Sequence, residues 1–286
     1  MVTVSAYRSP DLHMHSSFSD GTDSPKQLLE NVCRAGLDIF ALTDHDATEG
    51  CAVLQQYLRP DSPRFIPGIE LSCRDGEGKY HVLGYAYNVQ KESIRSAVDF
   101  THNTRLEKQK NRFRYLEEAR GFVFSDEDKA ELLSHKNPGK PHFAALMMKR
   151  GYTETIGQGF EIMAGYRGKE PSLSPEDAMD AILRADGIPV LAHGILGDGS
   201  QNLSAEEIEA RVAKLKASGL MGLECYYSTY TPEQKEIMLS LADKYNLFIT
   251  AGSDYHGSAK SVRLGETNSP DPERMKRFYA AVAYLL

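Results

Sequence analysis

Cysteine is scarce in this chain: Cys33, Cys51, Cys73 and Cys225 are the four among 286 residues, and no two stand in a Cys-x-x-Cys spacing. That excludes a disulfide framework and a thiolate zinc site, and it reads as reduced, partly buried thiols in a cytosolic protein. No apolar run approaches the length of a membrane span. The opening residues, Met1 to Pro10, carry no apolar core of the kind a signal peptide needs. A soluble, cytoplasmic protein with no membrane partner is therefore expected. Low-complexity segments and internal repeats are also missing. So is any excess of positive charge, since 33 Lys and Arg stand against 40 Asp and Glu. A nucleic-acid backbone calls for a basic surface, so long nucleic acids are not expected as partners.

The charge is unevenly spread. Residues 95–171 hold 14 basic and 11 acidic residues, a net of +3, while the remainder carries −10. Apolar strand candidates are the stretch before His13, then Asp38–Thr43, Arg64–Leu71, Tyr80–Tyr85, Ile188–Ala192, Leu220–Cys225 and Phe248–Gly252. Between them, helix starts are marked by Ser24-Pro25-Lys-Gln27, Ser174-Pro175-Glu-Asp177, Ser204-Ala-Glu-Glu207 and Thr231-Pro232-Glu-Gln234. Each supplies a capping hydroxyl and a reciprocal partner three residues on. Strands separated by helices predict parallel pairing and an α/β fold. A closed barrel suits the spread of polar residues along the chain better than an open sheet, which would gather them at one switch point. The roughly hundred-residue gap after the fourth strand is too long for a plain crossover. Helical signals at Val98–Ala119 and Pro141–Arg150, and the patch Asn137-Pro-Gly-Lys140-Pro, read as an inserted, mainly helical cap. The expected organisation is barrel over 1–94, cap over 95–171 and barrel again over 172–286.

His13 and His15, two residues apart, share one face of an extended segment. They begin a series placed at or just past the ends of apolar segments: Asp20, His45 within Asp44-His45-Asp46, Glu70, His81, His193, Asp254 and His256. Six imidazoles and three carboxylates suit Mn, Fe or Zn. Nine groups exceed the needs of one ion, so two or three divalent metal ions are expected. Clustered ions of this kind act on phosphoryl groups.

The motifs Asp-Leu-His13-Met-His15, Ser-Asp20-Gly, Leu-Thr-Asp-His45-Asp, Gly-Ile-Glu70, His81-Val-Leu-Gly, Leu-Ala-His193 and Gly-Ser-Asp254-Tyr-His256 occur in that order. Together they resemble the polymerase and histidinol phosphatase (PHP) family over residues 11–257. The resemblance implies a distorted (β/α)7 barrel with a trinuclear centre. One metal would take His13, His15, Glu70 and Asp254, and a second Glu70, His81 and His193. A third would take Asp20, His45 and His256. Glu70, His193 and Asp254 would be the catalytic members. Family members often carry Pro after the Leu-Ala-His histidine, whereas Gly194 stands here. The inserted segment resembles that of stand-alone phosphoesterases acting on small phosphorylated ribosides, either nucleoside 3′,5′-bisphosphates or phosphoribosyl 1,2-cyclic phosphate. Arg105 and His142 match substrate-binding positions of such enzymes. Arg105, Lys108 and Arg112 also form a stripe at helical spacing, which reads equally as a solvated face. Glu224 and Tyr226, ending the sixth strand, read as packing or as site residues. The expected activity is hydrolysis of a cyclic diester or monoester. The alternatives are histidinol phosphate hydrolysis, trimming of short nucleic-acid ends, and a non-enzymatic metal-binding module.

Overall fold

The computed structural model describes residues 7–135, 138–199 and 201–285; Asn137 of the Gly/Lys/Pro patch lies outside them. Seven strands form one sheet in chain order: β1 (Pro10–Asp11), β2 (Ile39–Leu42), β3 (Arg64–Asp75), β4 (Gly78–Tyr85), β5 (Ile188–Leu191), β6 (Gly222–Tyr227) and β7 (Phe248–Gly252). The first and last strands meet through backbone hydrogen bonds from Leu12 N–H to the Ala251 carbonyl and from Asp254 N–H to the His13 carbonyl, 2.8 Å each. The sheet is thereby a nearly closed seven-stranded barrel, with ten α-helices among the described residues. This is the α/β barrel that the strand count predicts.

Pairing departs from the parallel expectation at one strand. β4 runs antiparallel to both neighbours, β3 and β5. The cause is local: Asp75 pairs with Gly78 across the two-residue loop Gly76-Glu77, and so short a connection can join only antiparallel strands.

Helix starts follow the capping code. Ser24 caps α1 (Pro25–Ala35) by accepting from Gln27 N–H, and Gly36, at φ 70°, ends it in the left-handed conformation that glycine adopts without penalty. α1 buries Leu28, Leu29 and Val32. These pack with Met14, Phe40, Leu42 and Leu54, giving the helix its tertiary anchor. Burying such side chains contributes about 1.5–3 kcal/mol each. A larger apolar core includes Ile69, Leu83, Val190, Leu223 and Ile249 from five strands.

The chain divides into two compact units, Met1–Val98 with Leu173–Leu286, and Asp99–Ser172. The second has its own core of Phe113, Leu116, Phe124, Leu132, Phe143, Leu146, Met147 and Met163. It contains most of α3 (Glu92–Arg120), then α4 (Asp126–Leu133), α5 (Lys140–Lys149) and α6 (Ile156–Ala164). Five further helices belong to the barrel unit: α2 (Glu49–Gln55), α7 (Pro175–Arg184), α8 (Ala205–Ala217), α9 (Pro232–Lys244) and α10 (Pro272–Ala281). No described helix is long and apolar enough to cross a membrane.

Candidate metal centre

Two chain segments carry much of the centre, and period-two geometry aims them. His13–His15 continues beyond β1 and lies against Asp254–His256 beyond β7, where Met14 bridges Tyr255 and His15 N–H donates to the Tyr255 carbonyl at 2.8 Å. Met14 then enters the apolar core beside α1, which turns the two flanking imidazoles the other way. His45 bridges Glu70 in the same parallel fashion just past β2.

Glu70 is the hub. It is fully buried on β3, and five imidazoles face its carboxylate. His13 Nε2, His15 Nε2 and His45 Nδ1 lie 3.2, 3.2 and 3.1 Å from Oε2. His81 Nδ1 and His193 Nε2 lie 2.9 and 3.2 Å from Oε1. The three nitrogens around Oε2, and Oε2 itself, are buried without a hydrogen-bond partner, because none of these contacts has hydrogen-bond geometry. A buried polar atom left unpaired costs roughly 1–3 kcal/mol. Four such atoms converging on one point form a set of lone pairs that a cation would satisfy.

Three groups of side chains place one donor atom each close enough to hold a metal ion: His13, His15, Glu70 and Asp254; His45, Glu70 and His81; and His15, Asp20, His45 and His256. His193 joins the second group through Glu70 and by standing 3.3 Å from His81 Nδ1. Asp20 is the solvent-facing member, 3.2 Å from His256 Nε2. All nine residues thus gather in one place. Nitrogen and oxygen donors without sulfur fit divalent Mn, Fe or Zn.

Electrostatics bind the cluster together. Burial opposes charge on Glu70, but the imidazoles of His45, His13 and His81 outweigh it and hold the carboxyl well below its ordinary range. Asp254 is likewise held low, by His13 and His15 against burial. Burial disfavours the charged form of His15, yet Asp254 and Glu70 bring it up to about 9. His45 goes the other way, down to about 3, because burial and the neighbouring His15 and His81 exceed the pull of Glu70 and Asp20.

His81 reaches the centre for a different reason than the series implies. It stands near the start of β4, and being antiparallel, β4 enters the barrel at the rim where the parallel strands leave it. Two ligand-bearing turns are strained: His193 has φ 29° and Asp254 φ 60°, the left-handed region that non-glycine residues avoid.

A surrounding layer holds these ligands, and little in the sequence marks it. Asp44 accepts from Ser16 N–H, Ser16 Oγ and Ser19 Oγ at 2.7–2.8 Å, fixing the loop that leads to Asp20. Glu224 contacts His13, while Tyr227 and Lys260 contact Asp254. The available signal was an acidic residue inside the apolar run Gly222–Tyr227. Tyr226, the other candidate there, is buried beside Asp271 and Arg274.

The inserted unit contains Arg105 and His142. His142 Nδ1 accepts from Gly139 N–H at 3.1 Å, capping α5, and its ring lies 4.3 Å from that of His135. Arg105 is half-buried on α3. The stripe it begins is not a solvated face. Arg112 is buried, with its guanidinium 5.9 Å from the ring centres of both Phe143 and Tyr166, and it donates to Gln109. Lys108 is half-buried near Glu170.

The sequence profile of the PHP domain matches residues 11–159. The 3′,5′-nucleoside bisphosphate phosphatase of Chromobacterium violaceum is 26% identical over 272 residues, spanning 92% of each chain. The phosphoribosyl 1,2-cyclic phosphate 1,2-diphosphodiesterase of Eggerthella lenta is 28% identical over 255 residues, 86% of this chain and 94% of that one. A 5′-3′ exoribonuclease of Haemophilus influenzae is 25% identical over 262 residues, 90% of this chain and 93% of its own. Among solved structures, a Bifidobacterium adolescentis protein assigned as a metal-dependent phosphoesterase superposes with a TM-score of 0.76 at 29% identity, covering 95% and 96% of the two chains.

Proposed function

The chain belongs to the PHP domain family and is a metal-dependent phosphoesterase, and from that premise we propose that it hydrolyses a small phosphorylated riboside or nucleotide. The observation that carries the reading is the convergence of three unpartnered ring nitrogens on Glu70 Oε2. His13, His15, Glu70 and Asp254 would hold one ion, Glu70, His81 and His193 a second, and Asp20, His45 and His256 a third, drawn from Mn, Fe or Zn. Bound there, such ions supply Lewis acidity toward a phosphoryl group and make a nucleophile available from water at neutral pH.

The protein's own groups prepare that chemistry. His193 Nδ1 faces the Gly197 carbonyl at 2.7 Å and His256 Nδ1 faces that of Asp254 at 2.8 Å. A carbonyl can only accept, so both rings carry a proton on Nδ1, which leaves Nε2 as the atom that would face a metal ion. Glu70, His193 and Asp254 are the residues assigned to catalysis. Glu70 keeps its charge in a dry site, where its field is least screened. Arg105 and His142 are assigned to a substrate phosphate, which a guanidinium grips through two parallel hydrogen bonds.

Two relatives support the riboside class, being named for a nucleoside bisphosphate and for phosphoribosyl cyclic phosphate. The relative named as an exoribonuclease favours a second reading, hydrolysis at short RNA ends. The net −10 outside residues 95–171 weighs against long polyanions. A hydrolysis screen that reads inorganic phosphate by colorimetry, and opened ester or released mononucleotide by chromatography, separates these readings. Its substrates are a nucleoside 3′,5′-bisphosphate, phosphoribosyl 1,2-cyclic phosphate, histidinol phosphate and a 5′-phosphorylated oligoribonucleotide. The proposal expects kcat/KM on one of the first two to exceed the rest by at least about tenfold. Preference for histidinol phosphate or the oligonucleotide overturns it.

A further inference from the structure

β6 carries a bulge. Glu224 pairs with Thr250 and Tyr226 with Ala251, so Cys225 is the extra residue. In a regular strand, residues three apart face opposite sides. Here Cys225 and Tyr226 both turn away from the centre, Cys225 Sγ lying 3.4 Å from the Met238 carbonyl of α9 and Tyr226 beside Asp271. Glu224 and Tyr227 consequently both turn toward it, the re-aiming that bulges perform. Tyr227 O–H donates to Asp254 Oδ2 at 2.8 Å, and Lys260 Nζ donates to the same oxygen at 2.7 Å. Asp254 Oδ1 is left facing His13 and His15.

Glu224 is fully buried, and each of its oxygens serves a different ligand. Oε1 lies 3.0 Å from His13 Nδ1. Oε2 accepts the backbone N–H of His193 at 2.8 Å, at the residue whose φ is 29°. Space for this carboxylate is kept by Gly252, where a Cβ would stand 2.3 Å from Glu224 Oε1 and 2.2 Å from His13 Cβ.

We propose that Glu224 is a positioning residue that couples two metal positions: it fixes the His13 proton on Nδ1, leaving Nε2 bare, and pins the strained turn that presents His193. The inference rests on the metal-centre reading above. Its distinctive chemistry is the need for two acceptor oxygens, since both partners are N–H donors. Glu224→Gln keeps the shape but offers one acceptor and one NH2. If the amide oxygen serves His193, the NH2 faces His13 and drives its proton to Nε2, the atom aimed at the metal. If it serves His13, the His193 N–H loses its partner.

The test is metal binding by the intact protein, measured as Zn2+ retained against a buffered chelator, together with melting with and without Zn2+. Glu224→Gln should fold, and its metal-free melting temperature should stay within a few degrees of wild type. Its zinc affinity should fall about ten- to hundredfold, the usual scale for a group orienting a ligand. The zinc-induced rise in melting temperature should shrink with it. A folded variant that binds zinc as tightly as wild type overturns the proposal. So does a loss confined to metal-free stability, which is what a purely structural role predicts. Wild-type protein that retains no zinc would overturn the metal-centre reading itself, a distinguishable result. Should the variant fail to fold, the zinc-loaded wild type decides by nitrogen-15 NMR of its histidine rings. A slowly exchanging proton on His13 Nδ1 supports the assignment, and a proton on Nε2 overturns it.

Discussion

In the barrel unit, the buried polar side chains His13, His15, Glu70, His193, Glu224, Asp254 and His256 crowd into one region and leave several atoms unpartnered. In the inserted unit, Asp99–Ser172, the buried charges are served locally: Asp128 by Arg150 at 2.6 Å and by Ser125 N–H, Arg112 by Gln109 and by the faces of two aromatic rings, although Arg112 Nε and Thr153 Oγ1 are buried there without a hydrogen-bond partner. Every metal-competent group among the described residues lies in the barrel unit. The two regions also differ in charge sign, but sign is the poorer guide. Arg112, counted in the basic surplus, is packed into its unit's core, whereas the acidic surplus includes the three carboxylates on which the chemistry rests. Where a charge is buried, and what faces it, tells more than how many there are.

The largest expected effect strikes the barrel alone. Glu70→Gln removes the carboxylate shared by five imidazoles, and kcat/KM should drop on the order of 10⁴-fold, about 5 kcal/mol of transition-state stabilisation. Metal content should fall with it while circular dichroism stays near wild type. Steady-state kinetics and elemental analysis check this, and retention of both activity and metal would remove the hub from the mechanism.

A core cut in the other unit should do the reverse. Phe143 is fully buried among Phe113, Leu146 and Met147, so Phe143→Ala should cost about 3–5 kcal/mol of that unit's stability. The barrel, with its separate core, should keep its metal. Calorimetry with metal analysis reads both, and metal loss in step with melting would break the contrast between the units.

Smaller, and more diagnostic of substrate, is Arg105→Ala. It should lower kcat/KM for the phosphorylated riboside about tenfold, roughly 1.4 kcal/mol, and change a small aryl phosphate much less. The matched control is Lys110→Ala, since Lys110 is exposed and paired with Glu107, whereas Lys108 is half-buried. Equal losses on both substrates would leave Arg105 without a substrate role.

The smallest effect concerns thiols, all four of which belong to the barrel unit. Cys33 is exposed, while Cys51, Cys73 and Cys225 are buried, and burial pushes the Cys51 thiol up to about 12. One thiol per chain should therefore react rapidly with an aromatic disulfide reagent in native buffer. Phe143→Ala should leave that count at one, so labelling reports on the barrel independently of its neighbour. Rapid reaction of two or more would mean that the barrel opens more readily than its packing implies.

Much of this was legible in the residues. Six of the seven strands contain a short apolar run bounded by turn or capping signals, β1 being only Pro10–Asp11, and seven of the nine site residues stand past strand ends, Glu70 and His81 lying within β3 and β4. The direction of β4 was not legible, although Asp75-Gly76 marks the turn, because a strand's pattern of apolar residues is the same whichever way it runs. His81 stands in the series of polar residues at the edges of apolar segments, and only the hairpin explains how it reaches the centre. Glu224 was ambiguous because alternation along β6 is broken by the bulge at Cys225, and a one-residue insertion is silent in a run where every position is buried. Arg112 misled because helical spacing says which residues share a face, not whether that face meets water.

The backbone at His193 and Asp254 has a consequence for descent. Each holds a side chain in the left-handed region at a cost of order 1 kcal/mol, a conformation that Gly enters freely and Asn more readily than most. Selection for folding alone would favour Gly or Asn at both positions. Only selection for what the imidazole and the carboxylate do opposes that drift. A lineage that kept this barrel but abandoned its chemistry should relax at 193 and 254 early, gaining stability as it falls silent. Those two positions are thus where a comparison of descendants would separate working enzymes from scaffolds.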